Sequence, residues 1–156
     1  MRQMSFTAIW LIAGVLLFQM VPKAMAEPEL TRAERCLALV MYWEAKAEGA
    51  EGMIAVGAVV LNRVRHEEFP DTICGVVSQG GEQPPCQFSW WCDGKSDQPQ
   101  EAEAWSTAVE LARAMVVELP YDPTLGSLFF HASSIKVPWR VERERTLQIG
   151  QHIYYR

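Results

Sequence analysis

The stretch from Ala38 to Val64, ALVMYWEAKAEGAEGMIAVGAVVLNRV, constrains this chain more than any other. It reads as the end of one helix, a tight glycine turn and a second helix so apolar that it must be buried on more than one side. Thr31 and Glu34 stand at capping-box spacing and open the first helix. Ala33, Leu37, Val40, Met41 and Glu44 then fall on one face, and Gly49 suits a C-terminal stop. The second helix is expected over residues 51–65. Asn62 is read as the lone polar side chain of its apolar run, hydrogen-bonded to a neighbouring loop.

Glu44 is thus an acid that continues an apolar stripe. Burial, the like charge of Glu48 one turn on and the negative end of the helix dipole all act to raise its pKa. A carboxyl held protonated near neutral pH is what general acid catalysis requires. The competing reading is a structural ion pair with Arg63 or Arg140, since such pairs perturb pKa values as well.

The first 26 residues read as a secretion leader. Arg2 supplies the positive start, Phe6 to Phe18 the apolar run, and Ala24-Met25-Ala26 the small residues before a cleavage point. The run is short for a membrane span. Residues 27–156 form one domain, expected to act in the periplasm or outside the cell as a monomer. Arg2 and Lys23 are the leader's only charged side chains, so 12 basic and 19 acidic residues remain, a net charge of −7. With no basic run, nucleic acid is excluded as a partner. Exported cysteines in even number read as disulfides, with three connectivities open. Cys86 and Cys92 are close enough in sequence to close a small loop, which leaves Cys36 with Cys74. No CxxC pair points to zinc, and neither metal nor cofactor is expected.

Further along, Asp71 or Thr72 caps a short helix whose buried face is Ile73, Val76 and Val77. Residues 86–92, CQFSWWC, are read as a short extended segment lining a cleft opposite Glu44. Gln87 and Ser89 would offer hydrogen bonds there, and Trp90 or Trp91 a stacking surface, unless these aromatics are core packing. Residues 100–117 form an amphipathic helix with Trp105 on its buried face. Two β-prone runs follow, 126–131 and 147–155, the second divided by Gly150. His131 and His152 lie on them, either paired as a site or hydrogen-bonding within the scaffold, the latter being expected. The whole is an α+β domain, mostly helical, with one cleft.

No GxSxG, HExxH, P-loop or GxGxxG motif is present, and oxidised cysteines supply no nucleophile. A lone carboxyl acid with polar and aromatic helpers suits cleavage of a glycosidic bond.

Tyr42-Trp43-Glu44-Ala45 with Glu48, Gly52, Ala55-Val56 and Val60-Leu61-Asn62-Arg63-Val64 resembles the cell wall hydrolases of the spore-cortex-lytic (SleB) type. The match continues through residues 69–77, Cys86-Gln87-Phe88-Ser89, Cys92-Asp93-Gly94, Pro138-Trp139 and residues 149–155, IGQHIYY. It departs at Met53, where Gln is expected, and at Lys46-Ala47, where Arg-Gly is common. The resemblance implies a lysozyme-like α+β fold and peptidoglycan glycan strands as substrate. It also implies Glu44 as catalytic acid. Glu48, Gln87, Phe88, Ser89, Trp90, His131 and Trp139 are the candidate substrate contacts. The implied reaction is that of a lytic transglycosylase. Glu44 protonates the glycosidic oxygen after N-acetylmuramic acid, then as base helps the muramic 6-hydroxyl close a 1,6-anhydro ring. Glu48 would tune or orient Glu44. The other readings are a muramidase or glucosaminidase that uses water, a non-catalytic peptidoglycan-binding or inhibitory module, and a disulfide-held envelope protein. A partner that activates or inhibits the enzyme belongs to the same expectation.

Overall fold

Thr31 sets the start of the first helix: its hydroxyl accepts the Glu34 amide, and the Glu34 carboxylate takes the Thr31 amide in return. The computed structural model describes residues 29–118, 121–137, 139 and 142–156. The expected leader, 1–26, therefore lies outside the described residues, as do Arg140 and Pro138.

Helix α1 runs Arg32–Ala45, and after it α2 Gly49–Val64, α3 Ile73–Val77 and α4 Ala102–Val117 follow. Leu37 to Tyr42 is buried without a break, so the buried face of α1 is wider than the single expected stripe. The reason is that α1 packs against α2, α3 and α4 together. Helix α2 is buried on two sides. Met53, Val56 and Val60 join the main core with α1 and α4. Ala55 and Val59 meet Ile149 and Tyr154 of the sheet in a second cluster. Its nearly all-round apolar sequence is the consequence.

Gly49 does not terminate α1 as expected. The helix ends at Ala45, Lys46–Glu48 make one 3₁₀ turn, and Gly49, at φ +68°, begins α2. That left-handed φ is what glycine supplies without steric cost. Thr72 caps α3, its hydroxyl accepting the Gly75 amide.

The sheet is antiparallel, in the order β1 Phe129–Ala132, β3 His152–Tyr155, β2 Arg145–Ile149. Asn62 ties α2 to the segment before β1. Its amide donates to the Asp122 carboxylate at 2.8 Å and to the Ser127 carbonyl at 3.2 Å. Two glycines let helix and sheet meet: a Cβ on Gly52 would stand 2.5 Å from Glu48 Cβ, and one on Gly150 would stand 2.6 Å from Glu48 Oε2.

Both disulfides have the expected partners, Cys36–Cys74 and Cys86–Cys92. The second overturns the extended reading of residues 86–92. A fully extended segment would separate its ends by ~20 Å, whereas the bridge holds the two Cα atoms 6.3 Å apart. The chain therefore coils into a 3₁₀ turn over Ser89–Cys92. Among the described residues no helix is long and apolar enough to cross a membrane.

Loop-closure entropy ranks the two bridges. Replacing Cys36 and Cys74 by Ala should cost ~4 kcal/mol and replacing Cys86 and Cys92 ~2 kcal/mol. Urea unfolding of the two double variants at one pH checks the order, and equal midpoints would contradict it.

Candidate active site

Glu44 occupies the last turn of α1, where the helix runs out beneath a cavity of about 300 Å³. Helix α2 contributes Arg63 to the same cavity, and the disulfide loop contributes Gln87, Phe88 and Ser89. Phe130, His131 and Ala132 come from β1, His152 from β3, and Ile135 and Val137 from the loop after β1. Among the described lining residues Glu44 is the sole acid.

Burial pushes the Glu44 carboxyl up to about 7. Two effects oppose it: the Trp90 indole N–H, close enough to favour the ionised form, and the Arg63 charge. The Trp90 Nε1 is buried and has no partner in hydrogen-bond geometry, so its influence on Glu44 is that of an oriented N–H dipole at longer range. Glu48 is absent from these causes, contrary to expectation. Because the helix breaks at Ala45, the i+4 relation is lost, and Glu48 turns instead to the sheet. Its Oε1 lies 3.1 Å from His152 Nδ1 and accepts the Gln151 amide at 3.1 Å.

Arg63 is not the ion-pair partner of Glu44. Among the described residues Glu44 forms no ion pair, and Arg63 acts on it through longer-range charge. Arg63 is 1% exposed, and its guanidinium donates from Nε to the Leu128 carbonyl at 2.7 Å and packs over Phe69 and Phe88. Its Nη1 is buried without a partner. Burial draws its pKa down to about 10, while the Glu44 charge pulls the other way.

The remaining expected contacts divide. Gln87 and Ser89 are exposed at the mouth and Phe88 is buried in its wall. Trp90 is no stacking surface. It is core, parallel to Trp43 at 6.5 Å, and only its N–H bears on the site. Trp139 is absent from the lining. It buttresses the site from behind, edge-on to Tyr155 at 4.7 Å and to His131 at 5.4 Å. His131 lines the cavity but both ring nitrogens are engaged, Nδ1 with the Ala132 carbonyl and Nε2 with the Tyr155 hydroxyl. It and His152 share the cavity wall. Glu48 lies outside the lining and reaches it through His152.

Sequence reasoning offers Arg63 only as an ion-pair partner and expects His152 in a scaffold role, and it misses Phe130 altogether. Arg63 carried a signal: it lies at i+7 from Val56 and i+3 from Val60, on the face that those core residues define. A charge there is conspicuous. The contact of His152 with Glu48 carries none, since the carboxylate lies more than a hundred residues earlier.

A larger hollow of about 570 Å³ lies between the start of α2 and α4, lined by Lys46, Met53, Glu101 and Thr107 among others. Its lysine is neutralised by Glu101 at 2.6 Å. Met53, the position where a Gln is expected, is 1% exposed and belongs to the core.

Helices packed around α1, a small antiparallel sheet and one desolvated carboxyl in the cleft between them define a lysozyme-like α+β domain. The family profile described as Cell Wall Hydrolase matches residues 47–155, and the chain belongs to that family. It is 30% identical over 137 residues to a spore cortex-lytic enzyme of Oceanobacillus iheyensis, covering 86% of this chain and 44% of the relative. To the spore cortex-lytic enzyme of Bacillus subtilis it is 31% identical over 123 residues, 77% of this chain and 36% of the relative. The chain thus spans less than half the length of these curated relatives. Glu44 precedes the profile match but falls within the first of these alignments, which takes in most of the chain.

Two solved structures are similar in fold, each at 25% identity. The catalytic domain of SleB from Bacillus cereus superposes with a TM-score of 0.58, covering 82% of this chain and 93% of that one. The catalytic domain of the germination-specific lytic transglycosylase SleB from Bacillus anthracis gives 0.62, with 83% and 98% covered.

The raised Glu44 pKa has a thermodynamic consequence. The folded state binds this proton more tightly, to about 7 against an ordinary 4.5, so stability must fall as pH rises through that interval and level off above it. The loss is on the order of 3 kcal/mol. Glu44→Gln should remove this slope and be the more stable protein at pH 8. Urea midpoints of both proteins from pH 4.5 to 8 check it, and parallel curves would refute it.

Proposed function

We propose that this chain cleaves the glycan strands of peptidoglycan as a lytic transglycosylase, with Glu44 as its acid and base. The observation that carries the proposal is a single cleft-facing carboxyl that burial holds near half-protonation at neutral pH. Protonated Glu44 gives its proton to the glycosidic oxygen after N-acetylmuramic acid, and positive charge develops at C1 as that bond breaks. The carboxylate left behind is favoured by the Trp90 N–H and by Arg63, the two groups that lower its pKa. It then takes the proton of the muramic 6-hydroxyl as that oxygen closes on C1. The cycle ends with Glu44 protonated again and a 1,6-anhydro product released.

Support for the glycan substrate comes from the family itself and from relatives named spore cortex-lytic enzyme. Support for the transglycosylase route comes from the lack of a second acid among the described lining residues and from the name of the Bacillus anthracis neighbour. Such a substrate lies outside the cytoplasm, where the two disulfides are stable. We therefore place the enzyme in the cell envelope, exported by the leader read in residues 1–26. Gln87 and Ser89 at the mouth, with Phe88 in the wall, are assigned to substrate contact.

Mass spectrometry of purified sacculi after digestion tests the proposal. Wild-type protein should release anhydro-muropeptides, one water lighter than hydrolysis products. Glu44→Gln should lose about 10²–10⁴-fold of that rate. Fully hydrated reducing ends would replace the proposal with a muramidase or glucosaminidase, and binding to sacculi without cleavage would replace it with a binding module. As Glu44 ionises, the wild-type rate should fall while pH rises above about 7, measured as sacculus turbidity against pH.

A further inference from the structure

Four consecutive residues of the second disulfide loop, Cys86 to Ser89, line the cavity, and the next, Trp90, sets its indole N–H near Glu44. Phe88 and Trp90 anchor this loop in the core. Among the described residues one backbone hydrogen bond ties it to its surroundings, from the Gln87 amide to the Gln79 carbonyl at 2.9 Å. Two groups oppose the placement. The indole nitrogens of Trp90 and Trp91 are buried without a hydrogen-bond partner, and each N–H forgoes a hydration that release of the loop would restore. The closed bridge thus holds in place a segment with reason to open.

The bridge is also within reach of another protein. Cys86 and Cys92 are half-buried, and the residues on either side, 82–85 and 93–96, are exposed. The sequence separation is 6, against 38 for Cys36 and Cys74. Opening the shorter loop returns less entropy to the unfolded chain, so the rest of the fold stands without it. The Cys36–Cys74 bridge is no less accessible, but it joins α1 to α3, which pack against each other in any case. Cys36 lies more than two turns of α1 from Glu44. Only one of the two bridges therefore shapes the cleft.

Resting on the function proposed above, we infer that the Cys86–Cys92 bridge is a redox gate: a protein dithiol opens it, the lip carrying Gln87 to Trp90 swings away from Glu44, and glycan cleavage stops until the bridge closes again. One thiolate of the dithiol attacks a bridge sulfur, giving a mixed disulfide and one freed cysteine. Its second thiol then displaces the other cysteine, and the partner leaves as a disulfide. Two electrons and two protons have passed to Cys86 and Cys92. A disulfide oxidant runs the exchange backwards, and the short separation keeps the two thiols near each other. With the lip displaced, water reaches Glu44 and the burial that holds its proton is lost. A carboxyl at the ordinary 4.5 is protonated in about one molecule in 300 at pH 7.

Dithiothreitol and reduced thioredoxin are the probes. In Cys36→Ala/Cys74→Ala protein, which keeps one bridge, either should lower turnover of sacculi at pH 7 at least ~10-fold, with far-UV circular dichroism unchanged. Oxidised glutathione should restore the rate. Wild-type protein should show the same loss once mass spectrometry of alkylated cysteines finds Cys86 and Cys92 open. Nitrogen-15 NMR should show the Trp90 and Trp91 indole N–H groups protected from water exchange before reduction and exchanging after it. Cys86→Ala/Cys92→Ala should turn over at the reduced rate and ignore both probes. Equal rates with the bridge open and closed overturn the inference, as does a bridge that excess dithiothreitol leaves closed. A loss of rate that accompanies unfolding or does not reverse also overturns it. If oxidised wild-type protein releases no muropeptide, the proposed function fails instead, and indole signals unmoved by reduction still refute the gate.

Discussion

The burial of Glu44 is the constraint on which the rest of the site depends. Its carboxyl is desolvated because α1 is enclosed by three other helices and because the disulfide loop closes over the helix end. Desolvation of an acid costs stability, and here the cost is what keeps the proton available near neutral pH. Arg63 and Trp90 moderate the shift without cancelling it. A direct ion pair would have returned Glu44 to an ordinary carboxylate. Anchoring Arg63 through Nε to the Leu128 carbonyl keeps the guanidinium in the wall, where its charge acts at a distance.

Helix α2 transmits this arrangement to the sheet. One of its faces completes the core under α1 and the other carries the strands that supply His131 and His152. Glu48, seated at the turn that enters α2, links that turn to the β2–β3 connection through the Gln151 amide and His152. The cleft is therefore bounded by elements that share a helix. The geometry between acid and sheet wall is set by packing, with loops adding only the mouth.

Much of this was legible in the residues. The capping box at Thr31, the apolar run of α2, the bracing role of Asn62, both disulfide pairings and the strand pair divided at Gly150 each follow from local chemistry or spacing. So did the anomaly of an acid in an apolar stripe. The departures have separate causes. A helical i+4 rule places Glu48 beside Glu44, but the helix ends between them. The extended reading of residues 86–92 fails because a bridge between Cys86 and Cys92 forces a coil. Trp90 and Trp91 are alternative stacking surfaces in the sequence, because an aromatic pair between two cysteines gives no sign of which ring turns inward. The pairing of Glu48 with His152 is wholly a product of tertiary structure.

The measurement closest to the central claim is a direct titration of the Glu44 side chain, following its carboxyl carbon by NMR across pH 3 to 9 in the intact protein. A midpoint near 7, returning toward higher values when Arg63 is replaced by Met and its favouring charge is lost, is the predicted result. A midpoint near the ordinary 4.5 would mean the carboxyl is solvated or paired. Glu44 would then be a structural anion, with no proton to give at neutral pH.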